Sequence, residues 1–475
     1  MTGLPTQNHL GSVPVATRGP LVTALQAALT RRSIWFLVVA AIRVTYWRMF
    51  PAPVEDACIT YQYVDFGYRP EWGVTSFVWL WLLRGVRLLG VHPHHGAVAL
   101  SVAADLLAAW FSLARIEGAR RALFAGLWSL PLLSAACVSG IESHFGACML
   151  ILGALRWPVL LALGAAMRPD TALAATVLGI LLARRATIVP VLAGVAVQAA
   201  LSLHHVGSVL PSTVLTKSVV YATHWFKGLA WLFPLAPWYP SSPSPDLQAL
   251  ARLSPWFAAS LVLALWRRPW PPPPTVAIGL AALTPLIVFW VVGAPYFWWY
   301  AAWPLALLTP LGAQHFPVFE GGRLMHRVSA ALLGMMIFAS GFEQWRAHLE
   351  RYRYEQDFVL MGRTLRQMSH REDVVMLEPV GIIPYISERT PIDECGLMTP
   401  WVAERRRQGD GWRTDIIDQW KPRFLVFRYR ELLGIQFAGV GRAWRTPQER
   451  DRIMADYEEV ARGVYTQLVL FKRRT

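Results

Sequence analysis

The sequence predicts an all-α, many-times-spanning membrane domain followed by a small soluble α/β domain. Three observations carry that expectation. Apolar runs of roughly 15–20 residues, close to what a helix needs to cross a bilayer, recur through the first two thirds of the chain. Arginine clusters interrupt those runs, while carboxylates are scarce among them. Beyond Gly341 the composition changes to a mixture of arginines and acids with short β-like runs. The chain has 475 residues, 55% of them hydrophobic, and a net charge of +15. Basic cytoplasmic loops account for a positive excess of this kind. Nucleic-acid binding would want basic residues interleaved with exposed aromatics on a soluble domain, so no nucleic-acid partner is expected.

Taken in order, residues 1–30 read as a polar, disordered cytoplasmic N-terminus. No small-residue cleavage site follows the next apolar run, so the first helix is expected to be retained. Arg31-Arg32 precede the span 33–50, which places the outer loop 51–95 outside. Within it, 74–91 carries Arg84 and Arg87 and reads as a helix lying along the outer membrane surface or partly re-entrant. The second span is 97–114, and 123–138 runs outward again. Two shorter helices lead through Arg156 to Arg168-Pro169-Asp170. Spans at 171–183 and 188–203 follow, the latter ending at His204-His205. Residues 229–245 read as interfacial, 256–266 and 276–292 as spans, and two further helices finish near Gly341. The transmembrane domain 31–342 thus holds about eleven expected spans.

Residues 343–475 read as the soluble domain, placed outside, with strands at 373–377, 423–427 and 467–471 and an amphipathic helix over 357–369. Cys58, Cys137, Cys148 and Cys395 lack metal spacing. Cys58 and Cys395 both fall on the outer side, so a bridge between them stays open.

Ionisable groups at membrane depth are costly and usually serve a site or a buried pair. The outer polar segments hold Glu55, Asp56, Asp65, Glu71, Glu142, Arg168, Asp170, His204, His205 and Lys217. A carboxylate on a partly desolvated surface can take a proton from a hydroxyl, and nearby cations can hold a phosphate. Each residue also has a plainer reading. Glu55-Asp56 could start a helix over 57–66, and Glu142 could be an interfacial carboxylate at a helix end. Arg168-Pro169-Asp170 could be a turn whose proline opens the next helix. Lys217 could snorkel, and the aromatics 296–300 could form an interface belt. Adjacent His204 and His205 lack the i, i+4 spacing of helical metal ligands. No metal is assigned, although the outer carboxylates would suit Ca²⁺ or Mg²⁺.

Read in order, several segments resemble one family. They are Glu55-Asp56-Ala57 with Tyr61, Trp72-Gly73-Val74-Thr75-Ser76-Phe77-Val78-Trp79, Gly140-Ile141-Glu142 and Arg168-Pro169-Asp170. Gly207-Ser208-Val209-Leu210-Pro211-Ser212-Thr213 running to Lys217 comes next. Gly381-Ile382-Ile383-Pro384-Tyr385 with Ile392-Asp393 and Gly396-Leu397 closes the series. This order resembles the GT-C superfamily of polyprenyl-phosphate-sugar-dependent glycosyltransferases, most nearly the terminal arabinofuranosyltransferases of mycobacterial cell walls. It covers residues 54–427. Glu55 stands where an Asp-Asp pair is common, Ser212 where Asn is common, and the soluble tail is short.

The resemblance implies a multi-pass enzyme of the bacterial plasma membrane with its site on the extracytoplasmic face. It implies inverting transfer of a sugar, arabinofuranose by nearest likeness, from a polyprenyl-phosphate donor in the bilayer to a glycan, glycolipid or protein acceptor. Asp56 would be the general base, with Glu55 orienting hydroxyls or sharing that role. Arg168 and Lys217, with His204 and His205 in second rank, would hold the donor phosphate. Glu142, Asp170 and Tyr61 would position sugar or acceptor. A transporter or flippase is the rival expectation. It needs a polar path through the bilayer centre, whereas an enzyme needs Glu55, Asp56, Arg168 and Lys217 to converge on one outward cavity.

Overall fold

The computed structural model describes residues 31–220, 245–266, 272–291, 297–315, 323–432 and 441–474. The expected N-terminal segment 1–30, nearly all of the interfacial segment 229–245, and Tyr296 of the aromatic run lie outside the described residues.

The helical part opens with α1 (Arg32–Met49), α2 (Glu55–Asp65), α3 (Phe77–Leu88) and α4 (Pro93–Leu113). Shorter helices follow: α5 (Arg120–Trp128), α6 (Pro131–Val138), α7 (Glu142–Leu155), α8 (Leu160–Met167) and α9 (Pro169–Leu182). Next come α10 (Arg185–Val206), α11 (Ser212–Val220), α12 (Pro245–Trp266), α13 (Pro274–Ala281), α14 (Leu283–Val291), α15 (Trp298–Gln314) and the long α16 (Arg323–Met368). Prolines set several of these boundaries. Pro93, Pro131, Pro169 and Pro274 each sit in the first turn of a helix, where a missing N–H costs nothing.

This architecture corrects the expectation of eleven spans. Among the described residues two helices, α4 and α10, are long and apolar enough to cross a membrane. The α5–α6 pair makes a third only if a 56° bend is allowed within one span. The expected span 123–138 fails because Pro131 breaks it, and 276–292 is divided between α13 and α14. An eight-residue helix such as α8 rises about 12 Å against a hydrocarbon core of about 30 Å. Apolarity also has a second cause here. Helix α7 is buried at every position except Ala154, and α15 is buried from Trp298 to Ala313. A helix wrapped by other helices must be apolar all round, just as one facing lipid must. Composition does not separate the two cases. By contrast α10 leaves Ile188, Val189, Leu192, Val197 and Leu203 exposed along its length, a face suited to lipid. Its inner side runs close to α8, where a Cβ on Gly194 would lie 2.2 Å from the Ala162 carbonyl oxygen.

A buried ion pair pins the first helices together. Arg43 on α1 donates from Nε to Asp105 Oδ2 at 2.9 Å and from Nη2 to Oδ1 at 3.1 Å. It also donates to Ser134 Oγ at 2.6 Å and to the Trp128 carbonyl at 2.7 Å. His144 Nε2 completes the cluster with a 2.7 Å bond to Asp105 Oδ1. Five elements (α1, α4, α5, α6 and α7) thereby share one polar knot.

The tail is a five-stranded sheet with helices. It comprises β1 (Val374–Leu377), α17 (Ile382–Ser387), β2 (Thr390–Asp393), α18 (Pro400–Arg407), α19 (Trp412–Trp420) and β3 (Phe424–Arg428). Then follow α20 (Tyr429–Leu432), α21 (Pro447–Met454), β4 (Tyr457–Arg462) and β5 (Leu468–Arg473). Strand order is β2-β1-β3-β5-β4, with β1 parallel to both its neighbours and β5 antiparallel to both of its own. The three expected strands are present within a residue or two. The two unforeseen ones, β2 and β4, are the sheet edges. Pro391 in β2 and Glu458-Glu459 in β4 belong to edge strands, where a lost N–H or an outward charge is tolerated, so neither carries a core-strand pattern. Helix α16 passes through Gly341 unbroken, so the compositional change there is not a structural break.

Removing one partner from a buried pair strands the other's charge and typically costs about 3–5 kcal/mol. Asp105→Ala is expected to lower the melting temperature of the purified protein sharply, while Asp105→Ala combined with Arg43→Met recovers much of the loss. Equal melting of the single variant and the wild type would show that the knot carries no such load.

Candidate functional site

Helix α2 begins at Glu55, after Val54 in extended conformation, so Glu55 and Asp56 are the first two residues of its first turn. Carboxylates suit that position because the amide dipoles point positive there. The helix thus starts two residues before the expected 57, with the acidic pair inside it, and the two carboxylates face different ways. Consecutive helical positions diverge by about 100°. Asp56 faces a cleft, and Glu55 turns away toward the tail.

The cleft lies between α2, α7, the start of α9, α11, α15 and a tail loop. Asp56, Glu142, Arg168 and Lys217 all line it, from segments far apart in the chain. Lys217 Nζ lies 3.9 Å from Asp56 Oδ2, with 16% and 29% of the two side chains exposed, so water or a ligand still reaches the pair. Lys217 also approaches the Tyr300 hydroxyl at 3.4 Å and lies over the Phe297 ring at 4.9 Å. Arg168 is held more tightly. Its Nε and Nη2 donate to Asp170 at 2.9 and 3.3 Å, and its Nη1 donates to Glu142 Oε1 at 2.6 Å. Pro169 opens α9, and the Arg168 N–H donates to Thr171 Oγ1 at 3.0 Å, which caps the helix start and fixes the arginine's direction.

Electrostatics follow from this arrangement. Burial pushes Asp56 above the usual carboxylate range; Lys217 and Arg168 pull it back, and Glu142 pushes it further up. Burial alone would pull Lys217 down, yet Tyr300 and Asp56 hold it above its ordinary value. An acid whose affinity for protons is raised beside a firmly charged ammonium is suited to accepting a proton next to a developing anion.

Other residues expected at the site lie elsewhere. Glu55 accepts from the backbone N–H of Gly381 and, at 2.8 Å, from that of Ile382. It thus caps α17 in the crevice after β1, where neighbours β2 and β3 lie on opposite sides. A small anion often binds at such a switch point; here a side chain of the same chain fills it. His205 donates from Nδ1 to Glu71 Oε2 at 3.0 Å, accepts from Trp81 Nε1 at 3.2 Å and stacks on Phe77. Both its nitrogens are committed to packing α10 against α3. His204 is exposed and lies outside the cleft wall. Tyr61 is wholly buried, with its hydroxyl 3.4 Å from His94 Nδ1 and not in the cleft. Cys58 and Cys395 lie in separate apolar clusters, and no disulfide joins them.

Several lining residues were not among the expected site residues: Ile59, Thr60, Thr75, Thr213, Trp299 and Leu397, although Thr75, Thr213 and Leu397 fall in segments that carry the family likeness. For Ile59 and Thr60 a signal existed, since they stand three and four residues after Asp56 and so share its face. Thr75 and Thr213 meet at 2.9 Å and stitch the turn before α3 to α11. Leu397 comes from the tail, in the last segment of that likeness.

Among the described residues one acid, thiol and imidazole trio has metal-like spacing: Asp105, Cys137 and His144. It lies inside the polar knot, where the Arg43 guanidinium already occupies both oxygens of Asp105. A second cation beside that guanidinium would be repelled, so the trio does not fit a divalent ion. Of the carboxylates expected on the outer side, Glu55, Asp65, Glu71, Glu142 and Asp170 each have a polar partner.

Residues 344–471 match a family described as a domain of unknown function, DUF8728. No curated protein matches the chain. The DUF8728 segment holds the C-terminal half of α16 and strands β1 to β4, ends within β5, and supplies both Gly381 and Leu397.

Burial outweighs the two N–H donors at Glu55 and pushes it up to about 8. A carboxyl that keeps its proton to higher pH folded than unfolded stabilises the fold fully below its unfolded value of 4.5. That contribution is lost as pH climbs toward 8. Glu55→Gln is expected to flatten the fall of melting temperature across this window, while other buried acids such as Asp393 contribute equally to both proteins. Superimposable curves for variant and wild type would refute the assignment.

Proposed function

We propose that this chain is a membrane-bound glycosyltransferase that moves a sugar from a polyprenyl-phosphate donor to an acceptor hydroxyl with inversion. The observation that carries the reading is the Asp56–Lys217 pair facing across a cleft at 3.9 Å, with Arg168 braced by two carboxylates beside it. Asp56 takes the acceptor proton as the acceptor oxygen bonds to the anomeric carbon. The bond from that carbon to the phosphate oxygen breaks, and the phosphate leaves with the electron pair toward Lys217. Donor and acceptor enter by parting the pair, the phosphate replacing Asp56 as partner of the ammonium. Apo geometry of catalytic groups is often adjusted in this way by substrate.

Lys217 is the leading phosphate ligand, because three nitrogens of Arg168 are already bonded to Asp170 and Glu142. Arg168 then sets the field and the shape of the wall. The exposed apolar face of α10 supports a site beside lipid, where a polyprenyl tail would lie. The ordered likeness to GT-C glycosyltransferases supports the reaction class, and its nearest members suggest arabinofuranose going to a cell-envelope acceptor on the extracytoplasmic side. A transporter reading calls for a polar path at mid-membrane. The Arg43–Asp105–His144 knot is polar, but its ion-paired side chains have 0% exposure, which offers no path.

At matched expression, Asp56→Asn is expected to lower transfer from a polyprenyl-phosphate sugar by roughly 10²–10⁴-fold, the usual range for a lost general base. Near-normal turnover would remove Asp56 from the chemistry. Lys217→Ala is expected to weaken use of the lipid donor more than use of the acceptor, read as separate Michaelis constants; unchanged donor kinetics would place the phosphate elsewhere. Deleting the gene and identifying which surface glycan loses which sugar tests the substrate assignment.

A further inference from the structure

Two loops of the DUF8728 segment grip the two helices that carry the charged pair. The loop after β1 holds α2. Gly381 and Ile382 N–H groups donate to Glu55, and Gln62 Nε2 donates to the Val380 and Gly381 carbonyls at 2.7 and 3.2 Å. Tyr385 donates its hydroxyl to Asp65 Oδ2 at 2.7 Å. Glu55, Gln62 and Asp65 make one side of α2, while Asp56, Ile59 and Thr60 present the other to the cleft. Backbone meets backbone at this contact, since a Cβ on Gly381 would stand 1.8 Å from the Glu55 carbonyl oxygen.

The loop after β2 holds α11. Asp393 accepts from the Cys395 and Met398 N–H groups at 2.7 and 2.8 Å, and its own N–H donates to Thr399 Oγ1 at 3.0 Å. That folded loop brings the Gly396 carbonyl 3.4 Å from Thr216 Oγ1, the residue before Lys217. Cys395 and Leu397 pack on Val220, and Leu397 enters the cleft wall.

We propose that the DUF8728 segment is a two-point clamp that holds Asp56 and Lys217 opposite one another, with Glu55 and Asp393 as its positioning residues. This rests on the reading of the cleft as an active site. An 11-residue helix such as α2 is marginal by itself in water, so its contacts set its orientation. Misplacing a reacting group by about 1 Å can cost about 10²-fold in rate, so the clamp matters even though Leu397 alone of its residues lines the cleft.

The test reads Lys217 directly as well as turnover. Full-length protein in lipid discs is acetylated with acetic anhydride across a pH series, and the Lys217 peptide is followed by mass spectrometry. Groups facing Lys217 are Asp56 on α2, Glu142 on α7, Arg168 at the start of α9 and Tyr300 on α15. In Glu55→Gln and in Asp393→Asn the labelling midpoint of Lys217 is expected to fall and its rate at fixed pH to rise several-fold. The transfer kcat falls while the donor KM changes little. Arg423→Gln, which breaks the 3.1 Å bond to Asp373 elsewhere in the tail, is expected to leave both readouts unchanged. Should the first two variants not fold, Tyr385→Phe removes only the hydroxyl's bonds to Asp65 on α2 and to His92 before α4, and is expected to shift Lys217 in the same direction. A Lys217 profile identical to wild type in every folded clamp variant overturns the proposal. Absence of transfer by the wild type would sink the glycosyltransferase reading instead, and the Lys217 profile would still decide the clamp.

Discussion

Charges in the interior of this molecule have to be answered by other charges, because little water reaches them, and most of the architecture follows from how each is answered. Arg43 and Asp105 answer each other where α1 crosses α4, and the surplus donors and acceptors draw in α5, α6 and α7. Glu71 is answered by Arg84 and His205, which join α3 to α10. Arg168 is answered twice, by Glu142 and Asp170. At 3.9 Å the Asp56–Lys217 pair is looser than those of Asp105, Glu71 and Arg168. It is also more exposed than the paired groups around Asp105 and Arg168. A tightly matched pair is structural because separating it is costly; a loose one can exchange its partner for a ligand.

Helix α2 shows how that looseness is tolerated. One of its sides is tied to the tail through Glu55, Gln62 and Asp65, so the other can present Asp56 without also having to secure the helix. The parallel sheet contributes the crevice after β1, and Glu55 fills the place that a ligand takes in many such sheets. The tail is thus joined to the cleft from two directions, through α2 and through the loop that touches α11.

Much of the site was legible from the chain. Asp56, Glu142, Arg168 and Lys217 were each marked by an ionisable side chain in an apolar stretch, and the structure collects all four around one cleft. What misled was adjacency. Glu55 and Asp56 look like a unit, but one step along a helix turns a side chain by about 100°, and the two carboxylates serve different surfaces. His205 looked like a cation for phosphate, yet its partners Glu71 and Trp81 lie more than a hundred residues away in the chain. No local pattern announces them. The strands divided along the same line: β1, β3 and β5 showed core-strand patterns, while edge strands β2 and β4 had none to show.

By itself the sequence determined which segments are apolar, where prolines start helices, that a small α/β domain follows, and which ionisable residues stand in costly places. Those are properties of side chains and their near neighbours. Only the tertiary structure decided whether an apolar run meets lipid or protein, and here it turned most of the expected spans into short helices that pack on one another. It also decided which member of the Glu55-Asp56 pair faces the cleft. The physical reason is shared: burial and pairing depend on what lies across the gap, and that neighbour comes from a distant part of the chain.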